Sequence, residues 1–318
     1  MARPTFTNGF ENQSNKKSLT EQVNEICKGK GSMKSKKDAL IKLGIKENEI
    51  RFILPIYCKS TTRKPSTPKE KKFVYTFGVE IECVMNRDRF VNAASNTHVP
   101  YHYEGYNHTD NREYFKFVTD GSLSRTNGRE GDPIECVSPI LEGAKNGFDK
   151  LQVCCNTLNE AGAYVNRSTG LHVHIGVSDI TNEHYINVFK NYAKLQNVVD
   201  TFLAPSRRNN TYAKSLAGRT FVGCYNIHDV AELLSSRYYA VNPYSYGRHR
   251  TIEFRQHQGS TNFEKIEKWV NFCAKLVAYS KDNVFTDEVV SIDDIPFLND
   301  EEKAYFKGRA NHFNGTEA

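Results

Sequence analysis

The sequence predicts an α+β fold: a mostly antiparallel sheet with helices on one face, preceded by a small helical module. Three observations predict it. After Phe73 the apolar residues switch repeatedly between a two-residue and a 3.6-residue period. Several of the two-period segments carry ionisable residues on one face and apolar residues on the other. Charge is also unevenly divided: residues 1–72 hold 17 Lys and Arg against 7 Asp and Glu, a net +10, within a chain whose total is +6. The remainder therefore carries −4, and the basic character belongs to the N-terminal segment alone.

Taken in order, residues 1–15 are polar and read as a disordered tail. Residues 16–58 read as a small basic helical module. It has Leu19, Val23 and Ile26 at helical spacing, then Ala39, Leu40, Ile41 and Leu43 before Gly44, then Ile50, Ile53 and Leu54. The stretch 59–72 has two prolines and many charges and reads as a linker. The larger domain is 73–318. Its expected strands are 73–85, 115–119, 133–138, 163–166, 171–177, 237–241 and 250–257, and its expected helices 143–161, 182–203, 228–236 and 262–280. Segment 86–114, rich in Asn, Tyr and His, reads as a long loop able to close over a site.

No apolar run reaches the roughly 18 residues that cross a bilayer, and Met1–Ser14 lacks the apolar stretch of a secretory signal. The expectation is a cytoplasmic protein without membrane contact. Cys83, Cys136, Cys224 and Cys273 sit among apolar neighbours, and Cys154–Cys155 are adjacent on an expected helix, which suits reduced core thiols. The lysines of 16–72 read as a solvated basic face, with nucleic-acid or protein contact as the alternative.

Chemistry concentrates in the strand patterns. In Phe77–Cys83, Glu80 and Glu82 point one way and Val79, Ile81 and Cys83 the other. In Gly170–Gly176, His172 and His174 share a face. In Thr251–His257, Glu253, Arg255 and His257 share a face, and Glu135 lies on a further strand. Each motif alone has a plainer meaning: a solvated Glu-x-Glu, a surface or zinc-binding His-x-His, a structural ion pair. Together on one sheet face they crowd four carboxylates, which repel unless divalent cations neutralise them. Oxygen donors with an occasional imidazole suit Mg2+ or Mn2+ better than zinc. Arg255, two residues from Glu253, can grip a phosphate oxygen on the same cation.

The blocks FGVEIE (77–82), TDGSL (119–123), PIECVSPIL (133–141), STGLHVHIGV (168–177), RYYAVNPYSY (237–246) and TIEFRQHQGS (251–260) resemble the amidoligase family. That family is a branch of the glutamine synthetase and glutamate–cysteine ligase superfamily. The resemblance covers about residues 73–280 and implies a sheet of glutamine-synthetase-like type. It implies ATP and Mg2+ (or Mn2+) as cofactors, with a carboxylate substrate and an amine acceptor joined through an acyl-phosphate. By resemblance, Glu80, Glu82, Glu135, His172 and Glu253 hold metal, and His174 and Arg255 face the phosphates. His174, Glu253 and Arg255 are the catalytic candidates, and Asp120, Arg237, Asn242 and His257 the substrate-binding ones. His174 and His257 are both candidate general bases. Glu130 is the nearest candidate for one further acid that glutamine synthetase carries. Two other readings stay open: phosphoryl transfer of the guanidino-kinase type on a related sheet, and an inactive binding or structural protein.

Overall fold

The computed structural model describes residues 17, 19–29, 32–47, 50, 73–105, 111–208 and 210–315. The expected tail 1–15 and linker 59–72 lie outside the described residues, as do Ile53 and Leu54 of the helical module. Two compact units divide the chain, residues 1–71 and 72–318.

In the first unit, helix α1 (Leu19–Lys28) is followed by α2 (Met33–Lys42). Ser32 caps α2 by accepting the Ser35 amide at 3.2 Å. Val23, Cys27, Leu40 and Ile50 form a small buried cluster. Lys36 is buried beside it and donates to the Cys27 carbonyl at 2.8 Å.

The second unit is built on eight strands: β1 (Thr76–Met85), β2 (Tyr101–Tyr103), β3 (Phe115–Thr119), β4 (Asp132–Val137), β5 (Leu141–Glu142), β6 (Gly170–Gly176), β7 (Val241–Asn242) and β8 (Thr251–Gln258). Their order is β2-β3-β4-β1-β6-β8-β7, with β5 paired to the end of β1. Every pairing is antiparallel except β2–β3. The alternating strands work as the sequence implies. Phe77, Val79, Ile81, Cys83, Leu171, Val173, Ile175, Ile252 and Phe254 join one core cluster with the helices.

Those helices are α3 (Arg87–Thr97), α4 (Gly147–Glu160), α5 (Asn182–Phe202), α6 (Ile227–Leu234), α7 (Ser245–His249), α8 (Phe263–Tyr279) and α9 (Asp300–Asn314). In α8 the buried residues Ile266, Trp269, Val270, Cys273 and Val277 recur at helical spacing, and Asn262 caps it by accepting the Lys265 amide at 2.9 Å. Cys154 and Cys155 lie on α4, as expected. Six of the seven described cysteines are buried, with Cys136 and Cys154 sulfurs 3.7 Å apart.

Segment 86–114 is not a loop: it contains α3 and β2. Asn86 caps α3 by accepting the Arg89 amide at 3.0 Å. Phe90, Ala93 and Ala94 supply a buried stripe at i, i+3 and i+4. Three apolar residues suffice because Phe90 packs its ring on Phe117, Tyr101 and Tyr103. A covering role for this segment is therefore withdrawn. Phe90→Ala should destabilise the protein by about 3–5 kcal/mol, read as a lower urea midpoint with an unchanged slope. The expected strand 163–166 shrinks to one bridge between Tyr164 and Val84.

Candidate active site

The face of the sheet away from the helices floors a cleft of about 1710 Å³. Directly opposed residues of paired strands share a face, so the register sorts the floor into rows. Glu82 stands opposite Glu135, which stands opposite Val118. Glu80 has His172 on one side and, through Val137, Lys116 on the other. Gly78, His174, Glu253 and Asn242 form the next row across β1, β6, β8 and β7.

Glu80 is central. Its carboxylate lies 2.7 Å from His172 Nδ1 and 3.3 Å from His174 Nε2. Desolvation works to push Glu80 up, but the hydrogen bond from His172 and the close imidazole of His174 outweigh it and hold its carboxyl well below the usual range. Glu82 lies 3.5 Å from His172 Nε2 and accepts the Gly170 amide at 2.5 Å. Glu253 is paired with Arg255 and accepts from Asn242 Nδ2 at 2.6 Å. Desolvation would raise Glu253 too; the Arg255 guanidinium and the His174 imidazole reverse this and lower it.

Glu135 behaves in the opposite way. Desolvation first, then the charges of Glu80 and Glu82, push it well above the ordinary range. His174 donates or accepts at Nδ1 with Thr251 Oγ1 at 2.9 Å, and Ser245 Oγ stands 3.3 Å from the same nitrogen. Its Nε2 is buried without an aligned hydrogen bond. Desolvation works to lower His174, but the charges of Glu253 and Glu80 prevail and raise it.

Three donor sets have ligand atoms within 4.8 Å of one another: Glu80, Glu135 and His172; Glu80, His174 and Glu253; Glu82, Asp120 and Glu135. Glu80 and Glu135 each belong to two sets, so the donors form a continuous string along the floor. Asp120 follows β3 and accepts the Ser122 amide at 2.7 Å, which is also a turn contact. Arg237 is exposed at the rim and lies over the Tyr238 ring, 5.1 Å from its centre. Glu130 is exposed and is not among the residues lining the cleft.

The expectation that His257 shares the face of Glu253 and Arg255 is corrected. Leu171 pairs with His257 while Val173 pairs with Phe254, so β8 carries one residue more than β6 between them. This bulge reverses the alternation. His257 is turned to the helices, its ring centre 5.4 Å from that of Trp269 and its Nδ1 2.7 Å from the Gln258 carbonyl oxygen. Burial lowers its pKa to about 3. It is neither a substrate contact nor a general base from that position.

Sequence reasoning missed the two buried cations among those that line the cleft, Lys116 and Arg207, which are 4% and 3% exposed. Lys116 was legible in the alternation Phe115-Lys116-Phe117. Arg207 was not, because it reaches the sheet from a 3-10 turn, Pro205–Arg207.

Over residues 74–277 the sequence matches the family described as "putative amidoligase enzyme". No curated protein matches it. Among solved structures it is similar to a bifunctional glutathione synthetase from Pasteurella multocida, with 12% identity, 76% of this chain and 42% of that one covered, and a TM-score of 0.36. The chain thus spans less than half the length of that synthetase. The family match takes in every strand of the second unit and most of the length of its sheet-covering helices, and with it all the carboxylates of the cleft floor: the chain belongs to the amidoligase family.

Proposed function

We propose that the protein is an ATP- and Mg2+-dependent carboxylate–amine ligase that forms an amide through an acyl-phosphate, on a sheet of glutamine-synthetase-like type. The observation that carries this reading is the convergence of four glutamates, two histidines and Arg255 on one concave face.

The donor set suits divalent cations. Glu80, Glu82 and Glu135 crowd one another enough to raise Glu135, and a cation between them removes that repulsion. The Nε2 of His174, buried without an aligned hydrogen bond, lies 3.3 Å from Glu80 and faces the same space. Glu80, Glu82, Glu135, His172 and Glu253 would hold the ions, with Asp120 next to Glu82 and Glu135. When bound, divalent ions neutralise phosphate oxygens and spread charge during phosphoryl transfer.

The chain's own groups account for the rest. Arg255, held against Glu253, presents a guanidinium to the transferred phosphoryl group. His174 is kept in place by Thr251 and Ser245 and faces the same region. Lys116 and the rim residue Arg237 add positive charge toward which an acid substrate is drawn. Phosphorylating a carboxylate replaces a poor leaving oxygen with a good one, so that an amine can attack. With His257 behind the sheet, His174 is the remaining histidine candidate for accepting the amine proton. The division into a basic module at 16–58, a linker at 59–72 and a catalytic domain at 73–318 belongs to this reading. So does contact of 16–72 with nucleic acid or protein.

An acyl-phosphate is trapped by hydroxylamine as a hydroxamate. The full chain, incubated with Mg2+–ATP, hydroxylamine and a pooled set of amino acids and dicarboxylates, should release ADP and form hydroxamate together. ADP release with a stable phosphorylated product and no hydroxamate would instead indicate a kinase.

A further inference from the structure

Strand β8 does not run regularly past β6. Two steps on β6, Leu171 to Val173, span three on β8, Phe254 to His257, and the surplus falls at Arg255–Gln256. Both bulge carbonyls are taken by one side chain. Arg207 donates from Nη2 to the Arg255 carbonyl at 2.5 Å and from Nε to the Gln256 carbonyl at 3.3 Å. A planar guanidinium fork can hold two successive carbonyls at fixed separation, which an ammonium cannot.

Space for that fork exists only beside a residue without a side chain. A Cβ on Gly170 would lie 2.9 Å from Arg207 Nη2 and 3.2 Å from its Cζ. Gly170 also donates its amide to Glu82, so the glycine joins Arg207 to the acidic floor. Arg207 is desolvated at a cost that lowers its pKa, against which the charge of Glu82 works.

What the bulge decides is direction. Arg255 points into the cleft onto Glu253. Gln256 points into the helical layer, accepting from Tyr192 Oη and Gln196 Nε2 at 2.7 Å each. His257 points the same way, onto Trp269. A regular strand would put residues 253, 255 and 257 on one face and bring His257 into the cleft.

We propose that Arg207 is a positioning residue: it fixes the β8 bulge, and so aims Arg255 at the phosphoryl group, while Gly170 keeps open the space it needs. The bulge half of this inference stands on geometry alone; the phosphoryl half rests on the function proposed above.

The test uses the full chain and the variants Arg207→Ala, Arg207→Lys and Gly170→Ala. One readout is the nuclear Overhauser contact between the His257 imidazole and Trp269, the single tryptophan of the sequence. The other is calorimetric affinity for Mg2+–ATP. All three variants should lose the ring contact, and their affinity should fall roughly 10- to 100-fold. Low-millimolar guanidinium should restore both readouts in Arg207→Ala, whereas a merely structural defect would not respond. If Arg207→Ala does not fold, Arg207→Lys decides by the same two readouts. A ring contact that survives in a folded Arg207 variant overturns the proposal, as does a lost contact with unchanged affinity. Should the unmodified chain bind no Mg2+–ATP, the ligase reading fails, and the ring contact still decides the role of Arg207 in the bulge.

Discussion

Arg255→Ala should lower Mg2+–ATP-dependent turnover about a thousandfold. Arg255 is 8% exposed and bound to Glu253, so little of its charge is screened by water. Alanine also leaves Glu253 buried without its cation, which costs about 3 kcal/mol of stability. Asn242 Nδ2 still donates to that carboxylate and limits the damage. The informative companion is Arg255→Lys. It keeps a positive charge beside Glu253 and should melt close to the unmodified protein. Yet a single ammonium cannot reproduce the fork, so turnover should still fall about a hundredfold. Steady-state ADP release at saturating nucleotide, with melting curves on the same samples, checks both. Unmodified turnover in Arg255→Lys would remove the guanidinium from the chemistry.

The second large effect concerns pH and cation together. Glu135 has a folded-state value raised well above its ordinary 4.5, chiefly by desolvation and then by Glu80 and Glu82. Stability linked to it is complete below the ordinary value and is lost as pH rises through the raised one. Glu80 and Glu253 are lowered, so their contribution is present above the ordinary value and is lost only as pH falls through the lowered ones. Glu135 therefore removes stability from the cation-free protein as pH rises above the ordinary carboxylate range; the lowered His257 works the other way up to its ordinary 6.5, so the net loss is read above that value, where the raised His174 adds to it. Mg2+ should return that loss, stabilising more at pH 8 than at pH 5. At about 100 times the dissociation constant the gain is about 2.7 kcal/mol. Glu135→Gln, neutral at every pH, should flatten the dependence in the cation-free protein. Thermal melts with and without Mg2+ across this range measure it. A cation effect that does not vary with pH would contradict the placement of Glu135 among the ligands.

Much of the sheet was legible because both of its faces are chemically marked. Glu80 and Glu82, or His172 and His174, alternate with aliphatic residues that only a helical layer can cover, and the register then brings Glu82 to Glu135 and Glu80 to His172. What stayed hidden depended on contacts between distant residues. The β8 bulge is invisible in TIEFRQHQ because it takes Arg207, about fifty positions earlier, to hold it. Helix α3 was concealed by polar neighbours, although Phe90, Ala93 and Ala94 carried its period. Helix α9 has Phe306 as its single large buried apolar residue and is defined instead by the capping box of Asn299 and Glu302. Charge spacing in the sequence finds floors of this kind; it does not find the side chains that reach them from behind.

No helix among the described residues is long and apolar enough to cross a membrane.

Manganese offers the most direct trial, since its free ion gives an electron paramagnetic signal that disappears on binding. Titrating the full chain should quench that signal saturably, adding ATP should tighten the binding, and Glu80→Gln should abolish both effects while remaining folded. A signal that the unmodified chain does not quench beyond the loss ATP causes by itself, or that Glu80→Gln quenches equally well, would mean that these carboxylates do not gather around a metal–nucleotide pair.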